Sequence, residues 1–152
     1  MTIDRSGKYW TGADTNDIHE YLSIFMVEDG QPLDEYRAVV CSCGTDTFFL
    51  EADRDEGTAR RKCTNCKKVH FVCDSEEFWE ESTPEKWKCM CKSIETNLGV
   101  GFSFYEKTDS QDAEPDIRWL YIGCRCVKCG VLGCFADWKV GYGPSFHLLN
   151  EV

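Results

Sequence analysis

The sequence predicts a mainly β fold, a small α+β protein. Two cysteine-bearing hairpin units stand in tandem, with an N-terminal helix packed on them. Three observations predict this. Eleven cysteines fall in clusters that repeat once along the chain. The gap inside each repeat reads as two short strands around a turn. The cysteine-free N-terminal segment carries one apolar stripe at helical spacing. The 152 residues suit one compact domain or two small ones, and 42% apolar with 13% aromatic content is enough for a core and too much for disorder. The predicted organisation is an N-terminal helical segment (1–38), a first unit with a linker helix (39–88), and a second unit with a C-terminal segment (89–152).

The helix is expected over Thr15–Val27, with Asp14 as its cap and Asp17 three residues on, as in a capping box. Ile18, Tyr21, Leu22, Phe25 and Met26 form its apolar stripe. Asp29, Gly30 and Pro32 end it. Small cysteine-rich units lack core, and a docked helix supplies it.

The first unit runs C-x-C (Cys41, Cys43), a gap, then C-x-x-C (Cys63, Cys66). The second runs Cys89, Cys91, a longer gap, then Cys126, Cys129. In the first gap, Thr47–Ala52 is strand-like, Asp53–Thr58 holds an Asp-Glu-Gly turn, and Ala59–Cys63 returns. In the second, Gly99–Glu106 alternates, with Val100, Phe102 and Phe104 on one face. A polar loop follows over Lys107–Asp116, and Ile117–Gly123 returns. Further strands are expected after each C-x-x-C, at Val69–Cys73 and Val131–Asp137. Between the units, Asp74 or Ser75 can cap a short helix carrying Phe78 and Trp79. Pro84 breaks it, and Trp87 leads into the next C-x-C. The segment after Gly141, Gly143 and Pro144 is expected to form a final helical turn.

Two close pairs of thiols on two turns are the usual construction of a closed tetrahedral metal site. The x-x spacing lets two backbone N–H groups point back at the sulfurs. The predicted ligands are therefore Cys41, Cys43, Cys63 and Cys66 for one Zn²⁺, and Cys89, Cys91, Cys126 and Cys129 for a second, both structural. The C-x-C pairs are one residue tighter than the common turn. Cys73, Cys124 and Cys134 have no counterpart in the other copy and are expected to be spare. Two alternatives stay open: Cys124 forms its own C-x-C with Cys126, and His70 follows Cys66 closely enough to replace a ligand. Iron also suits four tetrahedral sulfurs.

Turn, hairpin, turn, strand is the layout of a zinc ribbon, and both units resemble one. The stretches 70–82 (HFVCDSEEFWEES) and 123–139 (GCRCVKCGVLGCFADWK) further resemble an uncharacterised bacterial family with two zinc ribbons in tandem. The similarity runs from about Arg37 to the C-terminus. It implies a fold and a cytoplasmic setting, and no activity.

The chain carries 17 Lys and Arg against 27 Asp and Glu, a formal net charge of -10. Two loaded four-thiolate sites would take it to about -14. Nucleic-acid binding requires cations facing phosphates, so the overall charge disfavours it. Arg60, Arg61, Lys62, Lys67 and Lys68 form one local exception. They can meet an anionic ligand or neutralise the first metal site and nearby acids, and the second reading is preferred. The aromatics form no motif. Most are assigned to the core, some to an interaction surface.

His19, His70 and His147 lie far apart, and the sequence has no G-x-S-x-G, P-loop or H-E-x-x-H. Neither C-x-x-C is followed by the helix of a thioredoxin-like site. The expectation is a non-catalytic, acidic protein-interaction module, for instance an inhibitor or immunity-type protein that covers a basic active site. The rivals are a nucleic-acid-associated ribbon acting through the basic patch and an iron electron carrier. The start of the chain has no secretory leader and no apolar run is long enough to span a bilayer, so a cytoplasmic, membrane-free protein is expected.

Overall fold

The computed structural model describes residues 3–106 and 115–152. Most of the polar loop expected over Lys107–Asp116 lies outside these. The fold is mainly β, as expected: an antiparallel sheet with helix α1 (Asn16–Glu28) on one face. The strands are β1 (Glu35–Ala38), β2 (Phe48–Asp53), β3 (Thr58–Cys63), β4 (Val69–Phe71), β5 (Glu85–Lys86), β6 (Thr96–Phe104), β7 (Ile117–Cys126) and β8 (Leu132–Lys139). Between β4 and β5 lie the short helix α2 (Ser75–Phe78) and a 3₁₀ turn. A second 3₁₀ turn, Phe146–Asn150, is the expected C-terminal one.

Both expected hairpins form. Phe48 pairs with Cys63 and Asp53 with Thr58 in the first. Asp53 Oδ1 accepts hydrogen bonds from Asp55 and Glu56 N–H in its turn, and Gly57 takes the left-handed backbone the turn needs (φ 78°). In the second hairpin Thr96 pairs with Cys126 and Phe102 with Leu120, so β6 and β7 are longer than the sequence suggested.

The two ribbons share one sheet, ordered β4-β3-β2-β6-β7-β8. Phe48 pairs with Thr96 where β2 meets β6. Two strands escaped the sequence reading. Inside the segment read as helical, β1 pairs along β6, Tyr36 opposite Gly101. The two-residue β5 pairs with Glu51 and Ala52 of β2.

Both faces of β6–β7 are buried. One carries Leu98, Val100, Phe102, Leu120 and Ile122. These pack with Phe48, Leu50 and Ala59 of the first hairpin, Trp138 of β8, and Leu148 and Leu149 of the last turn. The other face holds α1. Here glycines set the distance: a Cβ at Gly123 would lie 2.7 Å from Ile18 Cγ2, and one at Gly101 2.7 Å from Met26 Sδ. Ile18, Leu22 and Met26 are fully buried on this floor. The stripe therefore docks on the second ribbon.

Asp14 caps the helix as expected, one residue ahead of the helix bounds, but only the Asp17 half of the box forms, because the Asp14 carboxylate reaches Asn16 and not Asp17. Thr15 already has helical dihedrals. Asp14 Oδ1 accepts from Asn16 N–H at 2.9 Å, and Asp17 Oδ2 accepts from Asp14 N–H at 3.2 Å and Ala13 N–H at 2.6 Å.

Candidate metal centres

Four turns hold the eight cysteines, and the two copies share one backbone pattern. In the C-x-C turns, Cys41 N–H donates to Thr45 O and Gly44 N–H to Cys41 O. Cys89 N–H donates to Ser93 O and Lys92 N–H to Cys89 O, and all four bonds are 2.8 Å. In the C-x-x-C turns, Cys63 N–H donates to Lys68 O (3.0 Å) and Cys126 N–H to Val131 O (2.9 Å). Each turn has one left-handed residue: Gly44 and Lys92 in the first kind, Lys67 and Gly130 in the second. The matching register of β2–β3 and β6–β7 delivers the two turns of each ribbon to the same end of its hairpin.

The thiols of Cys41, Cys43, Cys63 and Cys66 lie within 4.8 Å of one another, as do those of Cys89, Cys91, Cys126 and Cys129. The close pairings are equivalent. The first cysteine meets the last, Cys41–Cys66 at 3.5 Å and Cys89–Cys129 at 3.4 Å. The second meets the third, Cys43–Cys63 at 3.6 Å and Cys91–Cys126 at 3.5 Å. Four sulfurs about 2.3 Å from a central zinc stand about 3.8 Å apart, so each group can hold one metal ion with little adjustment. All eleven cysteines are free thiols.

The electrostatics favour a cation. Burial opposes ionisation of Cys126, but the backbone N–H groups of Cys129 and Lys128, together with the Cys91 and Cys89 thiols, outweigh it and hold the thiol down to about 6. Cys63 is lowered in the same way by Cys66 and Asn65 N–H. The Thr45 hydroxyl and N–H hold Cys43 down to about 6. Burial, with the neighbouring sulfurs, pushes Cys89 up to about 12. Like charges this close cannot all ionise alone, and a divalent ion removes the conflict.

The five cations named as an anion patch do not form one surface. Arg60 pairs with Glu51 at 3.0 Å and lies over Trp79, 4.7 Å from the ring centroid. Arg61 alternates to the opposite face of β3 and is buried. Its Nη2 donates to the Val152 carbonyl at 2.9 Å, and its guanidinium covers Phe48. Burial lowers its pKa, while the thiols of Cys41 and Cys63 beside it pull the other way. Lys62, Lys67 and Lys68 are exposed, and Lys67 Nζ reaches Thr64 O at 2.6 Å.

Cys73, Cys124 and Cys134 lie in neither group. Cys124 is fully enclosed, and burial pushes it up to about 12. Burial also raises Cys73, whose Sγ lies 3.4 Å from Leu148 O, and Cys134. His70 lies on β4 with Nε2 3.0 Å from Glu151 O, and His19 stacks on Tyr36.

Arg125 was missed as a structural residue. It stands where Lys62 stands in the first ribbon, one residue before a predicted ligand. Its Nε donates to Gly12 O at 2.9 Å, Nη2 to Ala13 O at 3.0 Å and Nη1 to Asn97 Oδ1 at 3.0 Å. Gly12 N–H donates to Gly130 O at 2.8 Å. The N-terminal arm thereby braces the second C-x-x-C turn. The only sequence signal was an arginine next to a ligand position, which does not point at an arm more than a hundred residues away.

No family model, no curated protein and no solved structure matches the chain. Among the described residues, no helix is long and apolar enough to cross a membrane.

Proposed function

We propose that the protein is a non-catalytic zinc-binding module. Two structural Zn²⁺ ions hold its ribbons, and its acidic exterior engages a basic protein partner in the cytoplasm. The carrying observation is the pair of equivalent four-thiol groups. Four protein ligands close a tetrahedron, whereas catalytic zinc keeps an open position. In this reading Arg61 offsets the charge of the first site from inside the fold. An excess of ten negative charges suits a basic surface, such as the active site of an enzyme held in check by an inhibitor or immunity-type protein. The resemblance to the bacterial double-ribbon family supports the fold of this reading and names no partner.

The test is to purify the protein from native cells, count its metals and identify what comes with it. Two zinc ions per chain and a basic protein in fixed ratio are expected. Copurifying nucleic acid, released by salt and lost on changing Lys62, Lys67 and Lys68 to Glu, would replace this reading with the nucleic-acid one. Four thiols suit iron equally well, so a sample that absorbs visible light would move the protein to electron transfer.

A further inference from the structure

The N-terminal arm, α1 and Leu132 at the start of β8 line an open pocket of about 190 Å³. Four aromatic rings, Tyr9, Trp10, Tyr21 and Phe25, line it together with Ile24, Leu132 and Glu28. Trp10 and Tyr21 stand edge to face at 90° with centroids 5.9 Å apart, and Tyr21 and Phe25 stack at 5.8 Å and 23°. The pocket thus has two crossed ring walls and one carboxylate.

These rings differ from the rest of the stripe on α1. Ile18, Leu22 and Met26 are fully buried, whereas Tyr21, Phe25 and Trp10 remain partly open and Tyr9 is 44% exposed. Trp10, Tyr21 and Phe25 pack against the core under α1 and keep part of their surface open to the pocket. The rings already attract cations from their own chain. The Arg5 guanidinium lies 4.1 Å from the Trp10 centroid, and Lys8 Nζ lies 5.5 Å from that of Tyr9. Burial, then the Cys134 and Cys124 thiols and Glu28, push the Tyr21 phenol up to about 12.

The geometry points to a binding site for an organic cation: an alkylammonium or guanidinium head sits in the pocket against the Trp10, Tyr21 and Phe25 rings and is balanced by Glu28. The ring quadrupoles attract a weakly hydrated cation, and alkylation lowers the cost of removing its water. The volume is below that of pockets for drug-sized ligands, so it suits a head group or one side chain. Lys8, which also lines the pocket, is the cation such a ligand displaces. The site stands whether or not the acidic exterior meets a basic partner. If both hold, this pocket takes one lysine or arginine of that partner.

The test uses the full zinc-loaded chain and follows the indole N–H signal of Trp10 by NMR. Choline is titrated against 3,3-dimethylbutan-1-ol, its neutral isostere. Saturable shifts with choline, and binding of the alcohol weaker by about fivefold or more, are expected. Glu28→Gln should weaken choline binding and Lys8→Ala should strengthen it. Both residues are exposed and their replacement leaves the core intact. No shift with choline, equal binding of the neutral isostere, or weaker binding by Lys8→Ala would overturn the site. A second arm compares choline with a short peptide carrying one trimethyl-lysine. Tighter peptide binding assigns the site to a protein side chain, and equal binding assigns it to a small cation.

Discussion

Lys67 and Gly130 occupy the same place in the two C-x-x-C turns, four residues past Cys63 and Cys126, and both have a left-handed backbone, at φ 65° and 80°. Each donates its N–H to the carbonyl of that cysteine, at 3.1 and 2.9 Å. The turn needs this conformation to bring its two thiols together. Glycine adopts it freely, whereas a residue with a Cβ is strained there by about 1 kcal/mol.

Lys67→Gly should therefore leave the metal-loaded protein as stable or slightly more so, by up to about 0.5 kcal/mol, once glycine's added freedom in the unfolded chain is deducted. Gly130→Ala should do the reverse and more strongly, because its Cβ would lie 2.7 Å from the Gly12 carbonyl oxygen. Denaturant midpoints at fixed free zinc measure both. Equal effects of the two changes would show that the turns are not equivalent.

Metal count follows from which thiols converge. Cys63→Ser and Cys126→Ser should each lose one zinc and unfold at least their own ribbon, since a structural site of this kind contributes on the order of 10 kcal/mol. Cys73→Ala, Cys124→Ala and Cys134→Ala should each keep two. Elemental analysis of the purified variants reads this directly. A Cys124 variant with one zinc, beside a Cys126 variant with two, would shift the second ligand set to Cys124.

The ribbons and the helix were legible because each rests on a local signal: paired cysteines, alternation around a turn, and a stripe at i, i+3 and i+4. The rest depends on contacts distant in sequence. Glu35–Ala38 has no strand pattern of its own, and pairs with β6 because glycines there leave room for Tyr36 and α1. Arg61 was read with its neighbours as a charge run. Alternation along the strand read over Ala59–Cys63 puts it on the buried face with Ala59 and the ligand Cys63, which the charge-run reading passed over. The shared sheet rests at the seam on the single pairing of Phe48 with Thr96, which no local pattern encodes.

The glycine floor under α1 makes a sharp test of helix docking. Gly123→Ala places a Cβ 2.7 Å from Ile18 Cγ2 and 2.9 Å from Leu22 Cδ1, and both side chains are fully enclosed and cannot swing away. The cost should be about 1–3 kcal/mol, the range for overpacking a filled core. Gly133→Ala, with nothing within 4 Å of the new Cβ, is the matched control and should change stability little. Thermal or denaturant unfolding compares the pair. A tolerated Gly123→Ala would mean that α1 floats on the sheet.

Cys124 gives the protein a weakness at high pH. Burial raises its thiol from an ordinary value of 9.0 to about 12, so the folded protein keeps the proton that the unfolded chain releases. A raised folded pKa means that the contribution is fully present below pH 9 and is lost as pH rises toward 12. In that window the unfolded state binds fewer protons, and stability falls by on the order of 1 kcal/mol per pH unit from this group. Cys124→Ala removes the term. Cys134 and Tyr21 feel the charge of Cys124, so its removal also eases their ionisation. The variant should be less stable than the parent near pH 7, where it has lost buried contacts, and should close that gap steadily between pH 9 and 12. Denaturant midpoints across this range at fixed free zinc measure the gap. A gap that stays constant with pH would show that Cys124 ionises as readily in the folded protein as in the unfolded chain.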